Sequence, residues 1–384
     1  MKFLEIDDPR DVLPIGCRLL RLFGLPNDSS LKYLFWFQCS FFFIFGIITR
    51  FLTEIDEPIT LVCVGSEMVY SIYLLFQMGA LYLRRNDLYH LVDLLKECVD
   101  RSYSDDIEAS FIRLNTKINK SAVMYSKYFM MVAITYIAMP FIATTVVCAR
   151  NMRNSTGEQE EYVIPTELNF FYLDIRHNLL HYTIYFVVVS VLAVIGSIVL
   201  CTKDVLDFSL IRTTTMLFQI TAMQIRELQA PASQDQIITV IRSHRDTLEC
   251  FNKLQKVLNI ALMIQLTFCT AIWCLMLFYI LIIGFDSKVL NVSLLLVILT
   301  YETQSYCQYG TQLTEKADEV RIALHQLTWY DQTVSIQKEI FFMIQRSQKP
   351  IVLMAGKLFP VNNAQFSEIV KKSYSCYIVL KDVF

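Results

Sequence analysis

The chain has 384 residues, of which 54% are apolar and 18% charged, with a formal net charge of -2. Ordinary soluble domains run at about 45–50% apolar and about 25% charged, so this composition describes a membrane protein and excludes a string of soluble domains. The near-neutral balance offers no electrostatic footprint for a nucleic acid. Scarce Gly (10) and Pro (9) beside 27 Phe and 20 Tyr point to long uninterrupted helices rather than turn-rich β structure.

The N-terminus carries Asp7, Asp8 and Asp11 where a cleaved signal peptide would need a basic region and an apolar core. The first membrane helix is therefore expected to direct insertion itself. A window of about 19 residues, the helical length that crosses about 30 Å of hydrocarbon, predicts spans at about 31–48, 59–83, 128–148, 181–201, 260–285 and 290–309. A seventh, at about 360–384, is interrupted by Lys371, Lys372 and Lys381. Before it, an amphipathic helix is predicted over about 315–347, with Val320, Ala323, Leu324, Leu327, Tyr330 and Val334 on one face and a break at Lys349-Pro350. Such a helix needs lipid or another subunit to cover it.

Orientation follows from Lys and Arg. The N-terminal segment and the alternate loops at 84–127, 203–256 and 311–349 hold 24 basic residues, and the opposite loops hold 5. The rule that basic loops stay inside predicts a cytoplasmic N-terminus and an extracellular C-terminus. Asn154-Ser155-Thr156 is a glycosylation sequon in an acidic loop on the predicted outer side. The expected fold is thus an all-α membrane protein, a single domain over 1–384 with seven transmembrane helices. Loops and the first part of the last helix form a cytoplasmic anchor region. This orientation is the reverse of a G-protein-coupled receptor, and Asp100-Arg101-Ser102-Tyr103 lies after the second span, where it cannot serve as that class's motif.

Chemistry-bearing groups are few. His177 and His181 are four apart and would share a helix face, but Asn178 stands where a metalloprotease needs Glu. There is no phosphate loop or nucleophile elbow in the sequence, so no enzyme, metal or cofactor is expected. The odd number of cysteines, 11, suggests no disulfide framework. Two carboxylates fall inside spans, Glu67 and Glu302. An intramembrane carboxylate marks a cavity by default, while the blander reading of Glu302 is a solvated helix end.

Aromatic and Met side chains recur at helical spacing in the outer halves of the second, third and fourth spans: Met68, Tyr70 and Tyr73, then Met131, Thr135 and Met139 ahead of Pro140, then Tyr182 and Tyr185. Two readings are open, a bundle core or an apolar pocket with a few hydroxyls suited to a volatile organic ligand. On the last helix Ser373, Tyr377, Leu380 and Phe384 recur every three or four residues. That stripe either faces the bundle or lipid, or lines a narrow pore with Leu380 as a hydrophobic constriction.

The chain from Tyr301 onward resembles the insect odorant receptor family. The resemblance rests on Tyr301, Gln304, Cys307 and Gly310, on Ala323 and Trp329, and on Arg346-Ser347-Gln348-Lys349-Pro350. It continues through Ala355-Gly356, Phe366 and Ser373-Tyr374-Ser375. It implies a ligand-tuning subunit, not the co-receptor, of a heterotetrameric, odorant-gated, non-selective cation channel. Such a subunit sits in the plasma membrane of olfactory sensory neurons and partners the olfactory co-receptor through its cytoplasmic helices. Carried over by position, Leu380 falls at the gate and Phe384 near the outer mouth, and the ligand pocket lies in the outer leaflet between the second, third, fourth and sixth spans. Lys381 and Asp382 beside the gate depart from the family pattern. The sister gustatory receptors show Thr-Tyr and Gln-Phe pairs in the last helix, where this chain has Ser375-Cys376-Tyr377 and Lys381-Asp382. A transporter would predict broken spans and an internal repeat, neither of which is visible.

Overall fold

The computed structural model describes residues 2–6, 8–25, 32–53, 58–101, 103–153, 160–166, 170–171, 173–228, 232–283 and 287–383. A short helix α1 (Pro14–Leu22) precedes α2 (Lys32–Phe51), in which Ile44–Ile48 is a π-helical turn. Five long helices follow: α3 (Pro58–Val99), α4 (Asp105–Arg153), α5 (Leu179–Glu227), α6 (Gln234–Ile283) and α7 (Ser287–Gln326). The chain closes with α8 (Val334–Ser347), a two-residue hairpin of β1 (Met354–Ala355) and β2 (Phe359–Pro360), and α9 (Asn363–Val383).

The long helices run 40 to 50 residues, about 60–75 Å at 1.5 Å per residue, twice the thickness of a bilayer's hydrocarbon. Among the described residues, α2, α4, α5 and α6 are long and apolar enough to cross a membrane by length and composition. In α7 the polar run dilutes that signal, because Glu302, Thr303, Ser305 and Tyr306 turn into the bundle. Beyond the apolar stretches the same helices continue as an anchor region, packed by Leu91, Leu95, Leu217, Leu254, Val320 and Ile340.

Helix α5 is the central post. Every residue from Cys201 to Leu210 is buried, and α5 packs against α1, α3, α4, α6 and α7, as a helix enclosed on all sides must. Local chemistry sets the ends. Asn178 caps α5 by accepting from the backbone N–H of Leu180 (3.0 Å) and His181 (3.4 Å). Ser233 and Gln236 form a reciprocal capping box at the start of α6. Asp105, Asp106 and Glu108 occupy the first turn of α4, where negative charge meets the positive end of the helix dipole. At the anchor end Arg101 pairs with Asp246 and Arg10 with Glu108.

The single helix expected over about 315–347 is two. The first is the C-terminal part of α7, and the second is α8, separated by a 3-10 turn at Trp329–Asp331. Gln332 accounts for the interruption, because its side chain accepts the Ala232 N–H at 3.0 Å while Gln337 donates to the carbonyls of Tyr330 and Gln332. After α8 the hairpin docks on α6. Gly356, at φ +60°, donates its N–H to Asn259 O at 3.0 Å, and Gln255 brackets Met354.

Candidate ligand cavity

Between α2, α3, α4, α5, α6 and α7 lies a cavity of about 240 Å³. Small residues make the room: Gly46 on α2, Ala133 on α4, and Ala193 and Gly196 on α5 all line it. Leucine, valine and aromatic side chains supply most of the remaining wall, among them Leu74, Phe129, Val132 and Leu192. Its polar points are Arg50 and Glu67, whose Nη2 and Oε2 stand 3.3 Å apart, with hydroxyl groups from Ser66, Tyr70, Ser71, Tyr136, Thr166, Ser197 and Tyr279. Arg50 also donates to the carbonyl of Gly46 inside the π-helical turn, the kind of local widening that recurs at functional sites.

Residues 162–166 close one end of the cavity as a strap, contributing Ile164, Pro165 and Thr166 to the wall. Two tyrosines of α5 hold it. Tyr185 donates to Thr166 O at 2.9 Å and accepts the Thr166 N–H at 3.3 Å, while Tyr182 donates to Val163 O and accepts from Thr144 at 2.9 Å.

On the anchor side of the cavity sits a buried ionic network. Lys203 Nζ contacts Asp204 Oδ1 at 3.0 Å, Gln265 Oε1 at 2.7 Å, the Tyr73 hydroxyl at 3.0 Å and the Glu302 carboxylate. Tyr125 donates to Asp204 at 2.6 Å, Tyr306 bridges Asp204 and Asp207, and Arg84 pairs with Asp207 at 3.1 Å. Five helices, α3 to α7, meet in this cluster. With Lys203 and Glu302 at 1% and 0% exposure, charges here survive only because each finds partners.

The sequence-derived candidates divide. Tyr70 lines the cavity. Tyr73 is buried and belongs to the ionic network. Tyr182 and Tyr185 fasten the strap and are not in the wall, and Met68 is half-buried outside it. Met131, Thr135 and Met139 are on the exposed face of α4, the two methionines at 60% and 47%, and the Thr135 hydroxyl is spent on Met131 O. Helix α4 runs unbroken through Pro140 and turns this face away from the bundle. Glu302, whose blander reading was a solvated helix end, is fully buried. Glu67 lines the cavity, whereas Arg50, Ser197 and the strap were not singled out in the sequence. His177 precedes the Asn178 cap and contacts Asp174, so it and His181 do not share a helix face. Among the described residues no group of three or more His, Cys, Asp or Glu could hold a metal.

On α9 Ser373 is 1% exposed. It continues the stripe of Phe366, whose ring meets Trp273 at 6.0 Å, and Ile369, against α6 and α7, so Ser373 packs against the rest of its own chain. Tyr377 is half-buried, and the exposed arc carries Lys371, Lys372, Tyr374, Ser375 and Val379. The side chain of Leu380, and Phe384 and Asn154 altogether, lie outside the described residues.

A bundle of membrane-length helices around a mostly apolar cavity is the architecture of a multi-pass membrane protein. Residues 60–374 match the 7tm Odorant receptor family, and the chain belongs to that family. It is 26% identical over 157 residues to Odorant receptor 19a of Drosophila melanogaster, 40% of each chain, and 19% identical over 149 residues to Odorant receptor 10 of Aedes albopictus, 39% of this chain and 40% of the relative. The matched region thus spans about 40% of these curated relatives' length. The fold is shared with the insect olfactory receptor OR5 of Machilis hrabei, solved in complex with eugenol. That match has a TM-score of 0.72 at 13% identity, over 97% of this chain and 98% of the other. The expected all-α, multi-pass architecture of seven transmembrane helices therefore holds.

Proposed function

We propose that the chain is a ligand-tuning odorant receptor subunit of a heteromeric ligand-gated, non-selective cation channel. The observation that carries this reading is the cavity of about 240 Å³ in a chain of the odorant receptor family. A cavity of about 150 Å³ accepts benzene, so this one suits a volatile of about ten non-hydrogen atoms, in the size range of eugenol. Ligand binding favours an open state by its differential affinity, and the shift reaches α9 through its contacts with α6 and α7. Membership of the family and the charge asymmetry of the loops support a cytoplasmic N-terminus, glycosylation at Asn154 on the outer face, residence in the plasma membrane of olfactory neurons, and a tetramer with the olfactory co-receptor.

The proposed pore runs along α9. With Ser373 turned into the protomer, the arc available to line it is the exposed one holding Lys372, Ser375 and Val379, since charges at membrane depth favour water over lipid. Tyr377, one helical turn on from Ser373, is half-buried, and the gate is proposed at the level of Leu380. Co-expression with the co-receptor and current recording across an odorant panel that includes eugenol is the test. Odorant-evoked current and co-purification are expected, and the absence of both overturns the reading.

A further inference from the structure

We propose that Arg50 and Glu67 form the recognition point for the oxygen atom of a neutral oxygenated ligand, such as a ketone, ester or alcohol, and that the cavity selects against hydrocarbons, ionised acids and amines. This rests on the reading of the cavity as the odorant pocket.

Arg50 lines the cavity with its side chain 9% exposed. Its Nη1 donates to Gly46 O and its Nη2 pairs with Glu67 at 3.3 Å, while Nε is buried without an acceptor. A buried donor left open is unfavourable, and a ligand oxygen that accepts from it relieves that penalty. Hydrogen bonds to charged groups are the strong ones. A carbonyl, hydroxyl or ether oxygen supplies the acceptor and a hydrocarbon does not. Among the described lining residues Arg50 is the one cationic donor; of the hydroxyls nearby, Ser71 is spent on Glu67 O at 2.8 Å and Thr166 is bonded to Tyr185.

The pair is also neutral as a whole. A carboxylate ligand would bring a net negative charge into a mostly apolar site beside Glu67, and an ammonium would bring a positive one beside Arg50. Both are costly in a low-dielectric interior. The oxygen recognised is therefore an uncharged one, on a body of about ten non-hydrogen atoms.

The test compares nonane, 2-nonanone, 1-nonanol, nonanoate and nonylammonium on the receptor co-expressed with the co-receptor, in wild type and in Arg50→Met, Arg50→Lys and Glu67→Gln, with surface staining of each. The ketone and alcohol are expected to act at concentrations about tenfold or more below nonane, the size of one hydrogen bond to a charged group. Arg50→Met removes that difference while leaving the nonane response. Arg50→Lys retains part of it, because a point charge replaces the planar fork. Glu67→Gln leaves the guanidinium without its carboxylate and admits nonanoate, a gain that a merely structural role would not produce. Equal sensitivity of the wild type to nonane and 2-nonanone overturns the proposal and leaves the odorant-receptor reading standing. Silence to all five compounds in a receptor present at the cell surface overturns both.

Discussion

Lys203→Met removes one of two cations from a cluster with three carboxylates, Asp204, Asp207 and Glu302. Lys203 is 1% exposed and holds Asp204, Glu302, Gln265 and Tyr73 at once. Methionine keeps the volume but leaves Glu302 and Asp204 without their shared cation. Breaking a buried pair by removing one partner costs about 3–5 kcal/mol. An unfolding entropy of about 2.1 cal/mol/K per residue gives about 0.8 kcal/mol/K for a chain of this length, so Tm is expected to fall by about 4–6 °C. The assay is thermal unfolding of the purified protein in detergent, at one scan rate for every variant. The double variant Lys203→Met with Glu302→Leu removes one of the two carboxylates left behind and is expected to recover at least half of the loss. Contacting residues couple in this way. A Tm for Lys203→Met within about 1 °C of wild type, or strictly additive losses in the double variant, would refute the view that this network ties α3, α5, α6 and α7 together.

Three further outcomes follow from the geometry. His244 is 5% exposed in the anchor part of α6, and burial, with Arg346 adding to it, pushes its pKa down to about 4. It is neutral in the folded protein, so its contribution is complete above about pH 6.5 and is lost as pH falls toward 4. That loss is about 2 kcal/mol by pH 5, and Tm curves of His244→Gln should lack that part of the acid sensitivity. A Cβ on Gly310 would overlap the Val361 carbonyl, so Gly310→Ala should unseat the approach to α9 at a cost of about 1–3 kcal/mol, read as lower Tm. An unchanged Tm would show that the contact is loose. On α9, Ser375→Cys should be blocked by a charged thiol reagent during odorant-evoked current and Ser373→Cys should not. The reverse pattern would place the pore on the Ser373 face.

Much of the architecture is legible in the sequence because lipid demands apolar helices, and an apolar window finds them. Their length is not, since α3 continues past the bilayer as an amphipathic helix whose pattern such a window averages away, and α5 as a helix buried on all sides but rich in polar residues. The candidate site is less legible for a related reason. In a membrane the lipid-facing side of a helix is as apolar as the buried side, so Met131 and Met139 read like Tyr70 although they point outward. Polar residues are the better guide, and Glu67 does mark the cavity wall. Lys203 falls among the loop charges because it follows an apolar run by two residues, and its burial depends on Tyr73, Gln265 and Glu302 arriving from three other helices. No spacing rule contains that convergence. Tyr182 and Tyr185 were recognisable as hydroxyls near a cavity, but their partners belong to a loop with no periodicity at all.

The most direct measurement is the concentration dependence of odorant-evoked current in Ala193→Phe beside wild type, each co-expressed with the co-receptor and matched for surface level. Ala193 lines the cavity, and since a cavity of roughly 150 Å³ is what one benzene ring occupies, a phenyl group there fills more than half of the about 240 Å³ present. Loss of the response, with the subunit still at the surface and still bound to the co-receptor, is the expected result. An unchanged concentration–response curve would show that odorants act elsewhere and would contradict the account.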